Sequence, residues 1–401
     1  MKISFIGDVM CEKPMLLAAC QNGKYNFDGI FDDARELFSK SDIVVCNMET
    51  PFAGEAAGYT VDYHSFNTPD SFLDELIKAG VTVFTTANNH CLDRGIEGLK
   101  RTIDVFDERN VFHTGTFRNS SENSPLIIEV GGIKVAFLSC TYGTNFHRNK
   151  KFPESGQVNI LRPYNESQYI HVKTSISNKI CSILRRILGE DRFAWLQKNL
   201  GKSEKNIRKD DLLNLQTIDI GLSILIGKIS EVRSRADLVF VCPHMGGQYN
   251  IEPGIFSLFV MDKIAAAGVD AVVANHAHVI QRGEIKNGIP CLYALGNFSS
   301  SLSNPHCVNE VKPEYSVMMH FYISENTIDK ITFTILKIVE DASHRIKVKP
   351  ICDKMIGETD VQKAQTQKDI QMIYERITGG PMGKTEISNE FQYFDCRNNR
   401  S

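Results

Sequence analysis

The sequence lacks several features that mark particular classes of protein. None of its apolar runs approaches the ~20 residues that a helix needs to span a bilayer. No long basic or acidic block occurs, and the formal net charge is only -3. The basic footprint typical of nucleic-acid-binding proteins is therefore missing. We expect a chain without a membrane span that acts on a small-molecule or polymer substrate, with no nucleic-acid partner.

Cysteine is present, but not in the patterns that bind metal or carry out redox chemistry. The sequence has eleven cysteines and no CxxC pair, which argues against a thiolate zinc site or a redox pair. Cys46, Cys140, Cys242 and Cys291 lie inside apolar runs, where cysteine acts as a small core residue. This usage fits a reducing compartment. Because no signal-like segment precedes the first predicted strand, the sequence predicts a cytoplasmic location.

The remaining composition is that of an ordinary globular protein, with 42% hydrophobic and 23% charged residues. Segments typical of strands and helices alternate over residues 1–145 and again over 216–355, which predicts an α/β domain in two segments. Residues 146–215 are polar and contain the single tryptophan, Trp195. We interpret them as a helical insertion or cap. For residues 356–401 we expect one helix followed by a loose end.

Apolar periodicity and terminal signals predict the individual elements. Gly131-Gly132, between two apolar segments, indicates a hairpin. The predicted helices are 32–41, 70–79, 95–108, 218–234, 256–267 and 361–377. The predicted strands are 2–6, 42–46, 81–85, 126–130, 134–139, 237–242, 269–274, 290–295, 316–323, 328–338 and 345–351.

Seven apolar segments stop at a short polar cluster. Open α/β sheets place their ligand sites at the C-terminal ends of strands, so clusters far apart in sequence are expected to meet in one crevice. Asp, Glu, Asn and His suit a divalent cation better than they suit a packed core. The clusters are Gly7-Asp8, Asn47-Met48-Glu49, Asn88-Asn89-His90, 141–144, 243–246, 275–278 and Gly296-Asn297.

The strongest single pattern among these clusters is His276-Ala277-His278. In extended or tight-loop geometry, His-x-His places both imidazoles on one side of the chain, and imidazole is the commonest transition-metal ligand. His244 precedes Gly246-Gly247, which leaves room for close approach of the backbone. Each cluster alone is compatible with a turn or a surface histidine. Their joint placement favours a metal site, since four of the eleven histidines fall within them.

The order of these residue types resembles that of the calcineurin-like metallophosphoesterase superfamily. More narrowly, it resembles the CapA family of capsule and poly-γ-glutamate synthesis proteins. The resemblance covers residues 1–145 and 235–300 in register. The matching segments are 7–10, 47–51, 66–69, 87–90 with Asp93 and Gly95, 132–137, 244–246, 275–279 and 295–298.

The resemblance implies a four-layer α/β/β/α sandwich with two divalent metal ions, such as Mn, Zn or Fe. His90 would lie by the leaving group as a general acid or charge stabiliser. We assign Asn88 and Asn297, in the same clusters, as substrate contacts. The implied metal ligands are Asp8 and His278 for one ion, Asn89, His244 and His276 for the other, and Glu49 as the bridge between them.

One departure from the superfamily affects the first of these ions. Metallophosphoesterases usually have a histidine two residues after the first aspartate, and here that position is Met10. CapA-like proteins share this apolar position, which leaves the Asp8 ion one ligand short.

Three functions remain open from the sequence. The first is a metal-dependent hydrolase acting on a phosphoester or a γ-glutamyl amide in capsule or polyglutamate metabolism. The second is a non-catalytic component of a capsule or polymer synthesis machinery, suggested by Met10. The third is a nucleotidase-like phosphatase with residues 146–215 as its specificity cap.

Overall fold

The structure is a computed structural model. Most of the predicted insertion or cap, 146–215, lies outside the residues that it describes, so that interpretation stays a prediction. Within the described part of the chain, no helix is both long enough and apolar enough to cross a membrane. The described residues are 1–62, 64–145, 156–162, 218–351, 359–382 and 388–395, with seven isolated positions between 184 and 215.

Helices and strands alternate along most of the described chain, which confirms an α/β fold. The helices are α1 (Lys13–Ala19), α2 (Asp32–Phe38), α3 (Asp70–Ala79), α4 (Gly95–Glu108), α5 (Asp219–Arg233), α6 (Ile255–Ala265) and α7 (Asp360–Thr378). The strands are β1 (Lys2–Val9), β2 (Cys20–Gln21), β3 (Lys24–Tyr25), β4 (Ile43–Met48), β5 (Val83–Thr85), β6 (Phe112–Thr114), β7 (Leu126–Val130), β8 (Ile133–Thr141), β9 (Leu238–His244), β10 (Ala271–Val273), β11 (Gly283–Lys286), β12 (Ile289–Leu292), β13 (Asn297–Ser299), β14 (Tyr315–Ser324), β15 (Thr327–Glu340), β16 (Ile346–Pro350) and β17 (Phe391–Asp395).

Two large sheets organise the fold. The nine-stranded sheet has the order β16-β15-β14-β1-β4-β5-β6, with β13 beside β1 and β17 beside β15. Within it, β1, β4, β5 and β6 run parallel. The six-stranded sheet has the order β11-β12-β10-β9-β8-β7, and β8, β9, β10 and β12 run parallel. Parallel strands end at the same edge of a sheet, so each sheet has one edge at which polar clusters collect.

Apolar side chains form three main cores around these sheets. The first contains residues of both sheets, and the Phe5 and Phe240 rings lie 5.2 Å apart there. The second packs the nine-stranded sheet against helices through residues such as Phe72 of α3. The third packs the six-stranded sheet against α5 and α6, with Phe256 buried there. Since both faces of the parallel strands are covered, those strands are apolar almost throughout.

A pair of glycines allows β1 and β13 to approach closely. A Cβ added to Gly7 would lie 1.8 Å from the carbonyl oxygen of Gly296. The Asp8 amide donates to that same carbonyl at 3.0 Å. The register of β1 against β4 shifts between Phe5 and Asp8, as happens at a β-bulge beside a functional site. This contact places Asp8 opposite Asn297 in the sheet.

The sequence-based bounds agree with the structure where the apolar period is long. Helices α3 and α4 have the predicted ends, and Gly80 closes α3 in the left-handed conformation at φ 113°. The predicted hairpin at Gly131-Gly132 is confirmed by antiparallel pairing of β7 with β8. The loose end expected after the last helix is wrong in part, because β17 pairs with β15. Phe391 of β17 stacks on Phe333 at 5.3 Å.

Replacing Gly7 with alanine should disrupt this part of the fold. The added methyl would overlap the Gly296 backbone, so we expect the free energy of unfolding to fall by about 3 kcal/mol. Urea unfolding followed by circular dichroism would measure the change. A Cβ added to Gly227 in α5 would have no heavy atom of another described segment within 4 Å, so Gly227→Ala should instead stabilise the chain by roughly 0.5–1 kcal/mol. Equal stability of Gly7→Ala and the unmodified chain would contradict the close contact.

Candidate metal centre

The polar clusters meet where the parallel strands of both sheets end. Asp8 and Glu49 come from the ends of β1 and β4, His244 ends β9, and the His-x-His segment follows β10. Two groups of potential ligands form there, and within each group the ligand atoms lie within 4.8 Å of one another. All of these side chains are buried. The two groups, which share Glu49, are Glu49, His244 and His276, and Asp8, Glu49 and His278.

The first group is tightly spaced around the Nε2 atom of His244. That atom lies 2.7 Å from Asn89 Oδ1, 2.9 Å from His276 Nδ1 and 3.2 Å from Glu49 Oε1. Bonds of ~2.1 Å to a single ion place neighbouring ligand atoms about 3 Å apart. The four side chains implied for this ion are therefore already spaced as ligands of one cation.

The second group is more open. Asp8 Oδ2 lies 3.4 Å from His278 Nδ1, and Glu49 Oε1 lies 3.8 Å from His278 Nε2. Asn297 Oδ1 lies 3.0 Å from the same His278 Nδ1. Burial lowers the pKa of His278, but the Glu49 and Asp8 carboxylates outweigh this effect and raise the pKa to about 9. The negative charge around this imidazole is thus suited to a bound cation.

Glu49 is the residue that most requires a cation. It is 0% exposed, and neither carboxylate oxygen accepts a hydrogen bond from any of the described residues. Burial raises the pKa of Glu49, but the imidazoles of His244 and His278 outweigh it and hold the pKa at about 2. An ionised, buried carboxylate without hydrogen bonds is costly unless a positive charge compensates it. The donor set therefore fits divalent metal ions.

Asp8 is held in place by the Asn47 side chain and the His276 backbone amide, contacts that the sequence did not predict. Asn47 Nδ2 donates to Asp8 Oδ1 at 2.7 Å and lies 3.1 Å from His244 Nδ1. The backbone amide of His276 donates to Asp8 Oδ2 at 3.1 Å. Burial and the nearby Glu49 charge raise the pKa of Asp8. Asn47 lies two residues before Glu49 in the same cluster, and that position was the available sequence signal.

His90 is oriented by an aspartate and an aromatic ring. Its Nδ1 lies 2.7 Å from Asp93 Oδ2, and its ring stacks on Phe66 with the centroids 4.2 Å apart. Asp93 also accepts a hydrogen bond from the Phe66 amide at 2.6 Å. Burial lowers the pKa of His90, but the Asp93 carboxylate raises it above the ordinary value. In the sequence, Asp93 and Phe66 stand out only as parts of motifs.

The backbone of the loops that carry the ligands is strained or tightly held. His276 and His278 have φ values of 117° and 57°, a region that residues other than glycine rarely adopt. Asn88 Nδ2 donates to the Met48 carbonyl at 2.7 Å, and Asn88 Oδ1 accepts from the His90 amide at 3.0 Å. These bonds orient the loop that carries Asn89 and His90. A substrate contact by Asn88 stays a prediction.

Comparisons with known proteins point to one family. A family model described as bacterial capsule synthesis protein PGA_cap matches residues 2–301. The PGA biosynthesis protein CapA of Bacillus subtilis is 25% identical over 74% of this chain and 62% of its own length. The capsule biosynthesis protein CapA of Bacillus anthracis is 24% identical over 74% of this chain and 59% of its own length. An uncharacterized protein of Sinorhizobium fredii is 25% identical over 73% of this chain and 64% of its own length. The chain thus spans less than two thirds of each of these relatives.

Binding of metal to this centre should stabilise the chain through Glu49. Mn²⁺ at about 100 times its Kd should raise the free energy of unfolding by about 2.7 kcal/mol for each ion that binds. Glu49→Gln removes the shared charge, so we expect it to lose most of this increase. Urea unfolding with and without Mn²⁺, after removal of metal by a chelator, measures both effects. Glu129→Gln, at an exposed position in β7, should keep the full increase. An increase of the same size in Glu49→Gln would rule out this carboxylate as a ligand.

Proposed function

Because the chain belongs to the bacterial capsule synthesis protein PGA_cap family, we propose that it is a metal-dependent hydrolase of capsule or polyglutamate-type polymer metabolism. Membership of the family confirms the CapA resemblance found in the sequence. The observation that carries the proposal is the Glu49 carboxylate, which is buried without a hydrogen bond from the described residues and is shared by both ligand groups. A carboxylate between two ions is the usual feature of binuclear hydrolytic sites.

The residues of the centre would hold two divalent ions, with Mn, Zn or Fe as candidates. When bound, such ions lower the pKa of a water molecule and neutralise the oxygens of the group that is attacked. Glu49 would contribute to both ions. The remaining ligands would be Asp8 and His278 for one ion, and Asn89, His244 and His276 for the other.

His90 would then act on the leaving group. Its Nδ1 is occupied by Asp93, which leaves Nε2 as the atom that can donate a proton. The raised pKa of His90 keeps a larger fraction of the imidazole protonated near neutral pH. Stacking on Phe66 fixes the plane of the ring. The His90–Asp93 pair therefore presents an oriented acid beside the ligand groups.

Two substrate classes fit this chemistry. In a phosphoester and in a γ-glutamyl amide, the attacked group carries oxygens that cations can neutralise. The names of the Bacillus relatives concern PGA and capsule biosynthesis, which favours a γ-glutamyl or other polymer-derived substrate. Assays on a panel of phosphoesters and γ-glutamyl peptides would separate the classes. Turnover of neither class by the Mn²⁺-loaded chain would contradict the hydrolase proposal.

We also propose that the fold is a four-layer α/β/β/α sandwich. The first core contains side chains of both sheets, which supports face-to-face packing. The second and third cores pack helices on the outer face of each sheet. In this arrangement the C-terminal ends of the parallel strands of both sheets would share one edge, where the ligand groups lie.

A second candidate is a non-catalytic role in a capsule or polymer assembly system. Met10, at the position where a metallophosphoesterase ligand is usual, favours it. Metal analysis of the purified chain separates the two functions. About two equivalents per chain favour hydrolysis, whereas a chain that binds no metal at saturating Mn²⁺ is not a hydrolase of this kind.

Removal of the His90 imidazole should slow turnover while leaving the metal content intact. We expect His90→Ala to lower kcat by 10²- to 10⁴-fold, the usual contribution of a positioned acid. Asp93→Asn should lower kcat less than His90→Ala does, because the His90 imidazole keeps a hydrogen-bond partner. Metal content per chain is measured alongside steady-state kinetics on whichever substrate of the panel is turned over.

His113 provides a matched control for the His90–Asp93 pair. Its Nε2 lies 3.0 Å from Asp107 Oδ1, so it also forms a histidine–aspartate pair, but neither residue belongs to the two ligand groups. His113→Ala should leave kcat unchanged. If His113→Ala and His90→Ala lower kcat equally, the effect is one of folding and His90 is not the acid.

A further inference from the structure

We propose that the carboxamide oxygen of Asn297 is a ligand of the ion held by Asp8, Glu49 and His278. This oxygen would supply the ligand that is missing at position 10, where metallophosphoesterases usually have a histidine and this chain has Met10. This inference rests on the binuclear centre of the proposed function and replaces the expected substrate contact of Asn297 with a structural role in metal binding.

The two ligand groups differ in size without this residue. The group around His244 has four donor side chains with Asn89 included, whereas the other group has three. Met10 does not complete it: a thioether suits soft metals rather than the cations expected here. The backbone N–H and C=O of Met10 are both bonded to Ser299, at 3.0 and 2.7 Å.

Strand pairing brings Asn297 next to Asp8. β13 runs parallel to β1, with Asn297 opposite Asp8. The contact between Gly7 and Gly296 sets the distance between these strands, because any side chain at position 7 would collide with the Gly296 carbonyl. Asn297 thereby lies beside Asp8 although 288 residues separate them along the chain.

The amide of Asn297 is oriented with its oxygen towards the centre. The side chain is 1% exposed. Its Nδ2 donates to Ser300 Oγ at 3.2 Å, and its Oδ1 lies 3.0 Å from His278 Nδ1.

The distances from His278 Nδ1 to Asn297 and to Asp8 are those expected for ligands of a common ion. His278 Nδ1 is 3.0 Å from Asn297 Oδ1 and 3.4 Å from Asp8 Oδ2. Ligand atoms bonded to one cation at ~2.1 Å are about 3.0 Å apart in an octahedron and about 3.4 Å apart in a tetrahedron. Each ion would then receive one neutral carboxamide, from Asn89 or from Asn297, in addition to the shared Glu49.

Calorimetric titration of the full chain with Mn²⁺ tests this assignment. The unmodified chain should bind two equivalents. Asn297→Ala should bind the first equivalent unchanged and the second at least tenfold more weakly, while Asn297→Asp, which keeps an oxygen ligand, should bind two. Two equivalents of unchanged affinity in Asn297→Ala would overturn the proposal.

Asn304→Ala is the matched control for loss of a buried carboxamide, in the segment that follows β13. Asn304 is 8% exposed and bonds to Glu12 rather than to the ligand groups. It should bind two equivalents of Mn²⁺ with unmodified affinity. If Asn304→Ala and Asn297→Ala weaken binding of the second ion equally, the weakening comes from a general change in residues 297–304, and the proposal is overturned.

A crystal structure of the Mn²⁺-loaded chain separates a ligand from a residue that only orients His278. A distance of about 2.2 Å between Asn297 Oδ1 and the ion supports the proposal, and a distance above ~3 Å overturns it.

The proposed function fails by a different result. An unmodified chain that binds no Mn²⁺ contradicts the binuclear centre itself, before any variant is compared.

Discussion

The structure depends on one electrostatic constraint, the burial of two carboxylates in the same few ångströms. Glu49 and Asp8 are both fully enclosed, and two like charges in a low-dielectric interior repel strongly. Asp8 is partly satisfied by Asn47 and by the His276 amide. Glu49 is paired instead with the imidazoles of His244 and His278. Asn47, His244 and His278 surround the two carboxylates. This concentration of buried charge and potential metal ligands is what suits the site to divalent cations.

The fold supplies the precision that such a site needs. Each ligand lies at the end of a strand or in the loop directly after one, so the two sheets fix the ligand positions. The Gly7–Gly296 contact sets the spacing of β1 and β13, and the left-handed backbone of His276 and His278 turns both imidazoles inward. Strained backbone of this kind persists only where surrounding structure enforces it. The glycine contact and the strained loop therefore belong to the site as much as the ligands do.

Sequence patterns predicted the parts of this arrangement that depend on local order. The apolar runs located the long strands and helices, and the polar residues after them located Asp8, Glu49 and the histidines. Contacts between distant segments were not predictable in this way. Asn47 bonds to both Asp8 and His244. No local pattern around position 47 predicts contact with His244, 197 residues away. Strands β13 and β17, of three and five residues, are too short to show a period and form because a neighbouring strand is available.

The departure at Met10 is better explained by a functioning cation site than by a vestigial one. A scaffold without metal would often gain stability by replacing buried ion pairs with apolar side chains of similar volume. Here Glu49 and Asp8 are both buried beside His244 and His278, and neither oxygen of Glu49 accepts a hydrogen bond from the described residues. Desolvation of two neighbouring carboxylates is costly, and a bound divalent cation would offset that cost together with the imidazoles. The carboxamide of Asn297, which lies beside Asp8 with its oxygen towards His278, supports the proposal that the ligand set of this ion is rearranged rather than lost.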